Sequence, residues 1–300
     1  AVCADLGIPA VVTLHDVWAS CPRIHRIRWD GAFCAEPPAV APCPTCAERG
    51  PWQDDQEIAN ALALRREMMD IELALAAAII VPSETHRAVL LNLLDLSQER
   101  LISLPNGSIS RLKAREGRSK GAGFPNRPLQ IGHWGHLTYP KGAHIILEAV
   151  HRMRDSSAVQ IHLIGTPLEQ EYERRLHELA RGISVEFHGA YRPSDLQTFD
   201  VDLAVFAPVV SESYSFALDE AFYMGLPVLV SDRGALPERI GGAGLTFRAG
   251  DADDLARRLQ EILDRPELLE RLRQNIRLDA LLPIEDRVAT LEKIYEEAVC

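Results

Sequence analysis

The feature that most constrains this chain is a regular alternation of short apolar runs with amphipathic segments. Past residue 128, "LQIGHWG" is followed by "KGAHIILEAVHRM", and "AVQIHLIG" by "LEQEYERRLHELA"; "ISVEFHG", "DLAVFAP" and "PVLVS" are three more apolar runs bounded by turn residues. Such runs read as strands buried on both faces. The intervening segments carry a helical core stripe, as with Leu255, Leu259 and Ile262. Repeated strand–helix alternation predicts parallel sheets covered on both sides. The first third repeats the theme: strand "PAVVTL", a Cys- and Pro-rich insertion over 19–52, a long helix, strand "AIIVPS", a short helix from Glu84 and strand "LISLPN".

The fold class expected is therefore α/β, with two Rossmann-like parallel-sheet domains. "REGRSKGAGFPNRP" is polar, basic and rich in Gly and Pro, as an interdomain linker is. The expected boundaries are a first domain over 1–110, a linker over 111–127 and a second domain over 128–282. A C-terminal helix over 283–300 is expected to pack back toward the first domain. The chain opens on Ala1 a few residues before its first strand, so the first domain is expected to be incomplete, lacking an N-terminal part.

A formal net charge of -11 argues against nucleic-acid binding, which needs a basic face. The most helical stretch, "EIANALALRREMMDIELALAAAII", has Arg65, Arg66, Glu67, Asp70 and Glu72 in its middle. It reads as a helix of a globular protein with Ile58, Leu62, Met69 and Leu73 inward, not as a membrane span. No signal-peptide pattern is present in the sequence.

In open parallel sheets, ligands bind outside the carboxyl ends of the strands. That rule singles out His15 and Asp16, Gly135 and His136, Gly165, Gly189, and Glu212. "SESYSFALDE" places Glu212 before a helix expected to start near Ser215 and Glu220 a turn inside it. A helix N-terminus presents backbone N–H groups and a positive dipole end to an anion. Ser213 and Ser215 are small enough for a phosphate to approach, and Lys141 supplies a cation. Carboxylates accept hydrogen bonds from sugar hydroxyls well, so with a diphosphate held there Glu220 and Glu212 are candidates to take sugar hydroxyls on either side of it. The bland alternative makes Glu220 an acid favoured by the dipole and Glu212 a solvated loop residue.

Around these residues, "SESYSFALDEAFYMGLPVLVSDRGALPERIGGAGLTF" resembles the signature of retaining glycosyltransferases of family four, the group 1 enzymes of GT-B fold: Glu, seven intervening residues, Glu, then Gly-Leu-Pro-Val. "GHLTYPKG", "LIG", "FHGAYRPSDL" and "GDADDLARRLQEIL" match in the same order, as do "VTLHD", "VPSE" and "LPNG" earlier in the chain. The resemblance implies that Glu220 holds the ribose and Glu212 lies against the donor sugar, with His15 near that sugar. The backbone from Ser213 through Tyr214 and Ser215 to Phe216, with Lys141, would hold the diphosphate, and Gly135 and His136 would face it. The segment from Gly189 to Arg192 would lie near the base. It implies transfer with retention and without a bound metal, in surface glycan or glycoconjugate assembly. The donor would be a nucleotide sugar and the acceptor a glycan or a lipid-linked molecule. The implied location is cytoplasmic, with peripheral contact at the inner membrane face allowed. The family commonly has Arg where this chain has His136, and Gly where it has Ser213 and Ser215. Its Gly-rich loop near the N-terminus has no counterpart here. A non-catalytic nucleotide-sugar-binding or scaffold domain, or a GT-B epimerase, stands as the alternative. A glycosidase is disfavoured because both acids lie on one loop-and-helix unit instead of flanking a cleft. A nicotinamide enzyme is disfavoured because no Gly-x-Gly-x-x-Gly opens a helix after a strand.

"CPRIHRIRWDGAFCAEPPAVAPCPTC" holds Cys21, Cys34, Cys43 and Cys46. The terminal C-x-x-C with two upstream cysteines suggests a four-thiolate site for structural zinc or, second, an iron–sulfur cluster. Two disulfides or free thiols are the other readings.

Overall fold

The computed structural model describes residues 2–35, 43–47, 50–51, 53–108 and 124–299. It divides into two compact units. One gathers residues 1–107, 210–214 and 282–300; the other gathers 108–209 and 215–281. Most of the expected linker lies outside the described residues.

In the first unit, α1 (Val2–Asp5) precedes β1 (Ala10–Thr13), and α2 (Cys43–Cys46) lies in the cysteine insertion. Next come α3 (Asp55–Leu75), β2 (Ala76–Val81), α4 (Glu84–Leu93) and β3 (Leu101–Ser103). The three strands pair in parallel in the order β1-β2-β3. Helix α3 starts at a capping box in which Asp54 accepts from Glu57 N–H and Glu57 reaches back to Asp54 N–H. It stops at Leu75: Ala76 and Ala77 enter β2 ahead of the "AII" expected to be strand. Ile79, Ile80 and Val81 favour the strand, where β-branched side chains pack well. Alternation along β2 sends Ile79 and Val81 toward Leu73, Leu90 and Leu93 on one face. Ala78 and Ile80 go toward Ile294 and Leu291 on the other.

The second unit contains β4 (Leu129–Trp134), α5 (Ala143–Arg152), β5 (Val159–Ile164), α6 (Gln170–Leu179), β6 (Val185–Gly189) and β7 (Leu203–Phe206). It continues with α7 (Phe216–Tyr223), β8 (Val228–Ser231), α8 (Leu236–Arg239), β9 (Gly244–Phe247), α9 (Ala252–Asp264) and α10 (Pro266–Gln274). The chain returns to the first unit in α11 (Ile284–Val299), which packs against β1 and β2. All six strands of the second sheet are parallel, in the order β6-β5-β4-β7-β8-β9. This is the doubly wound order, and its direction reverses between β4 and β7. Leu255, Leu259 and Ile262, the stripe read in the sequence, are fully buried on α9, which packs on α5. Strand β9 was not anticipated: "GLTF" is short, and it is a strand because β8 offers it a paired edge.

Candidate nucleotide-binding site at the sheet switch point

Between β4 and β7 the second unit brings its loops together, and tight backbone approaches shape the place. Gly142 has φ +75°, and a Cβ there would stand 1.8 Å from the Ala207 carbonyl oxygen. Gly165 has φ +150°, and a Cβ there would meet the Gly135 carbonyl oxygen at 1.8 Å. Only glycine allows both contacts. The turn carrying Lys141 is tied to the end of β7 by Val209 N–H donating to the Pro140 carbonyl at 3.0 Å. His133, wholly buried on β4, donates from Nδ1 to the Val205 carbonyl at 2.9 Å. Burial pushes this imidazole down to about 4, and the nearby Lys141 charge adds to the effect. His136 is exposed at the next bend.

Helix α7 belongs to the same unit. Its N-cap residue, Ser215, has φ +86° and contributes no side-chain cap, so the helix opening is not closed by its own side chain. A serine in that backbone region is strained, and here a buried ion pair holds it. Arg239 on α8 donates to the Ser215 carbonyl at 3.0 Å and pairs with Asp219, whose side chain is 3% exposed. Glu220 follows on α7 and accepts a hydrogen bond from Trp134 Nε1 at 2.9 Å. Burial raises the Glu220 carboxyl; the Trp134 bond lowers it and Asp219 raises it further. Tyr191, after β6, is close enough for Glu220 to add to the upward effect of burial on its phenol. Arg233, after β8, donates to the Val209 carbonyl.

The second unit thus holds Gly135, His136, Lys141, Gly189, Ser215, Phe216 and Glu220. The residues read from sequence that belong to the first unit are His15, Glu212, Ser213 and Tyr214. His15 is exposed just past β1. Ser83, the N-cap of α4, donates its hydroxyl to the Ser213 carbonyl at 2.8 Å while capping His86 N–H. Tyr214 is buried in that unit. His86 is 1% exposed, with both ring nitrogens lacking a hydrogen bond, and burial pushes it down to about 4. His15 and Asp16 both act on its charge, so it lies near the end of β1. Trp134, Arg233, Arg239 and His86 were not singled out from sequence, whereas Tyr191 falls in the segment Gly189 to Arg192 that was. For Trp134 a signal existed: it ends the apolar run before Gly135, at the carboxyl edge of its strand.

In the insertion, Cys21, Cys34, Cys43 and Cys46 are not disulfide-bonded and line one cavity of about 380 Å³. Arg23, Arg26, Arg28, Arg65 and Arg66 line it too. Arg26 is 4% exposed and lies 3.5 Å from Cys34 Sγ through Nη2, with Nε donating to the Cys34 carbonyl at 2.9 Å. Arg23 donates to the Cys46 carbonyl at 3.1 Å. Burial raises the Cys43 thiol, and Cys21 and Cys34 add to the rise. The insertion is anchored to α3 by Arg65, stacked on Trp18 at 4.6 Å. Among the described residues, no helix is long and apolar enough to cross a membrane.

The fold is of the GT-B glycosyltransferase type, and residues 128–265 match the family "Glycosyl transferases group 1". Most of the second unit thus matches the group 1 glycosyltransferase model. Over 217 residues the chain is 32% identical to the MMP alpha-(1->4)-mannosyltransferase of Mycolicibacterium hassiacum, covering 68% of this chain and 50% of that one. It is 27% identical over 167 residues to the sulfoquinovosyl transferase SQD2 of Arabidopsis thaliana, covering 53% of this chain and 31% of that one. The chain thus spans half the length of the first of these curated relatives and under a third of the second. Among solved structures it is similar to Anabaena Alr3699/HepE in complex with UDP and glucose, with a TM-score of 0.69 and 17% identity, over 98% of this chain and 73% of that one.

Proposed function

We propose that this protein is a retaining glycosyltransferase that moves a hexosyl or related sugar from a nucleotide-sugar donor to a glycan or lipid-linked acceptor in glycoconjugate synthesis. The observation that carries the reading is the carboxylate of Glu220, half-buried one turn into α7 and fixed by Trp134 as donor at the switch point of the sheet. A helix start is suited to a diphosphate, and a fixed carboxylate to a pair of ribose hydroxyls. That the Anabaena structure holds UDP and glucose supports a donor of this class. Lys141 and the α7 N–H groups would stabilise charge developing on the departing diphosphate, the term usually largest in catalysis. Glu212 and His15 would face the donor sugar. Departure and attack would share one face of the sugar, so no bound metal and no protein nucleophile is needed.

The test is calorimetric titration with nucleoside diphosphates and their sugar conjugates, followed by a transfer assay. One base is expected to bind, with Glu220→Ala weakening it at least about tenfold, the loss of a charge-assisted hydrogen bond. Glu212→Ala is expected to cut transfer more than binding. Wild-type transfer in both variants would overturn the assignment, and binding without transfer to any acceptor would favour a non-catalytic sugar-nucleotide domain.

The four-cysteine cavity is proposed as a structural zinc site. Four thiolates on Zn²⁺ leave two negative charges, which the arginines of the same cavity offset. Binding would release the thiol protons. Cobalt substitution should give a thiolate charge-transfer band, lost in Cys43→Ser/Cys46→Ser. Purified protein with less than about a tenth of an equivalent of zinc would overturn it, and iron with sulfide would replace zinc by a cluster.

A further inference from the structure

Far from the cysteines in sequence, three side chains on β5 and β6 form a second constellation that the transfer reaction does not use. His162 pairs with Glu186 across the parallel ladder, and His188 follows Glu186 by two residues on β6. His162 Nδ1 lies 3.0 Å from His188 Nε2. Glu186 Oε2 lies 3.6 Å from the first nitrogen and 3.5 Å from the second. The same three atoms thus form a nearly equilateral triangle. Ligand atoms at bond lengths of about 2.0–2.1 Å around a tetrahedral zinc stand about 3.3 Å apart, which is the size of that triangle.

The surroundings hold the ligands as a metal site does. Gln130 on β4 donates its amide to the Pro128 carbonyl at 2.9 Å, which orients its oxygen toward His162 Nε2 at 2.8 Å. That acceptor keeps the proton on Nε2 and leaves the Nδ1 lone pair facing His188 and Glu186, the usual outer-shell device for a metal-bound histidine. His162 is buried, His188 half-buried against Phe199 with ring centroids 4.6 Å apart, and Glu186 exposed, so an entry path exists. A register shift between Leu163 and Ile164 leaves His188 as the extra residue of β6, and such bulges re-aim side chains.

We propose that His162 Nδ1, His188 Nε2 and Glu186 Oε2 bind one divalent cation of the zinc class, with water completing the shell. Two neutral imidazoles and one carboxylate leave the site at +1, acceptable in a chain of net charge -11. The cation clips β6, an edge strand, to β5. Without it, His188 Nε2–H donates to His162 Nδ1 and a proton occupies the place of the metal.

The experiment uses the untagged full chain carrying Cys21→Ser, Cys34→Ser, Cys43→Ser and Cys46→Ser, so that the thiol cavity is silenced, titrated with ZnCl₂ by calorimetry and with CoCl₂ by absorption. One equivalent is expected, with tetrahedral cobalt bands and no thiolate charge transfer. His188→Gln or Glu186→Gln should abolish it, and Gln130→Ala should weaken it about 10–100-fold. Should the serine background fold poorly, the thiolate-free cobalt bands are read in the parent chain, as the part removed by His188→Gln. No saturable binding, or binding unchanged in His188→Gln, overturns the proposal. Failure here leaves the transferase reading untouched, because nucleotide binding is measured separately.

Discussion

Glu220 carries two opposed demands. Burial raises its carboxyl, so the folded chain holds that proton more tightly than the unfolded one. The stability this gives is fully present below the unfolded value, about 4.3, and is lost as pH rises through the raised folded value. Glu220→Gln keeps the shape without the charge. It is expected to match or exceed the parent in urea denaturation at pH 7, to converge with it near pH 4, and to bind nucleotide poorly, a trade common at binding sites. The Asp219–Arg239 pair behaves differently. Arg239→Met removes the cation beside a buried carboxylate and the donor to the Ser215 carbonyl, with an expected loss of about 3–5 kcal/mol in urea denaturation. Adding Asp219→Leu should recover most of that loss. Glu220 was legible in the sequence as a candidate because its place one turn inside a helix start has a chemical meaning. Arg239 and Trp134 were not, since an arginine or tryptophan acquires its role from a partner 20 or 86 residues away.

Among the elements, the turn between β4 and α5 shows how a backbone contact governs a site. Gly142→Ala would drive a methyl into the Ala207 carbonyl at a left-handed φ, and the turn bearing Lys141 would have to move. The expected cost is about 3 kcal/mol or more, with loss of nucleotide binding. Gly182→Ala, at φ +81° with nothing near its Cβ, is the control and should cost about 1–2 kcal/mol by the same denaturation measurement. Elements with a strong period were readable: α9 from its stripe, and β4, β5 and β7 from apolar runs. Strand β9 was not, because there pairing with a neighbouring strand decides.

At the scale of the whole chain, His86 in one unit and His133 and His144 in the other are buried and neutral, held down to about 4, about 4 and about 3. Their contribution to stability is fully present above the unfolded value near 6.5 and is lost as pH falls through the folded values. Both units should therefore weaken together as pH drops from about 6.5 toward 4. Tryptophan fluorescence in urea at stepped pH checks this, and His133→Gln should flatten the slope; a profile flat over that interval would contradict it. What the sequence by itself determined is the α/β class and the parallel sheets, and it marked Glu212, Glu220, Lys141 and the four cysteines as candidates. Periodicity and short-range spacing encode all of these. Only the tertiary structure decided the strand order β6-β5-β4-β7-β8-β9, and with it the reversal between β4 and β7. It alone set Trp134 against Glu220, Arg239 beneath Ser215, and His162 beside Glu186 and His188. Those placements follow from which strands pair and in what register, a choice made by packing across the whole sheet and not written in any local stretch of chain.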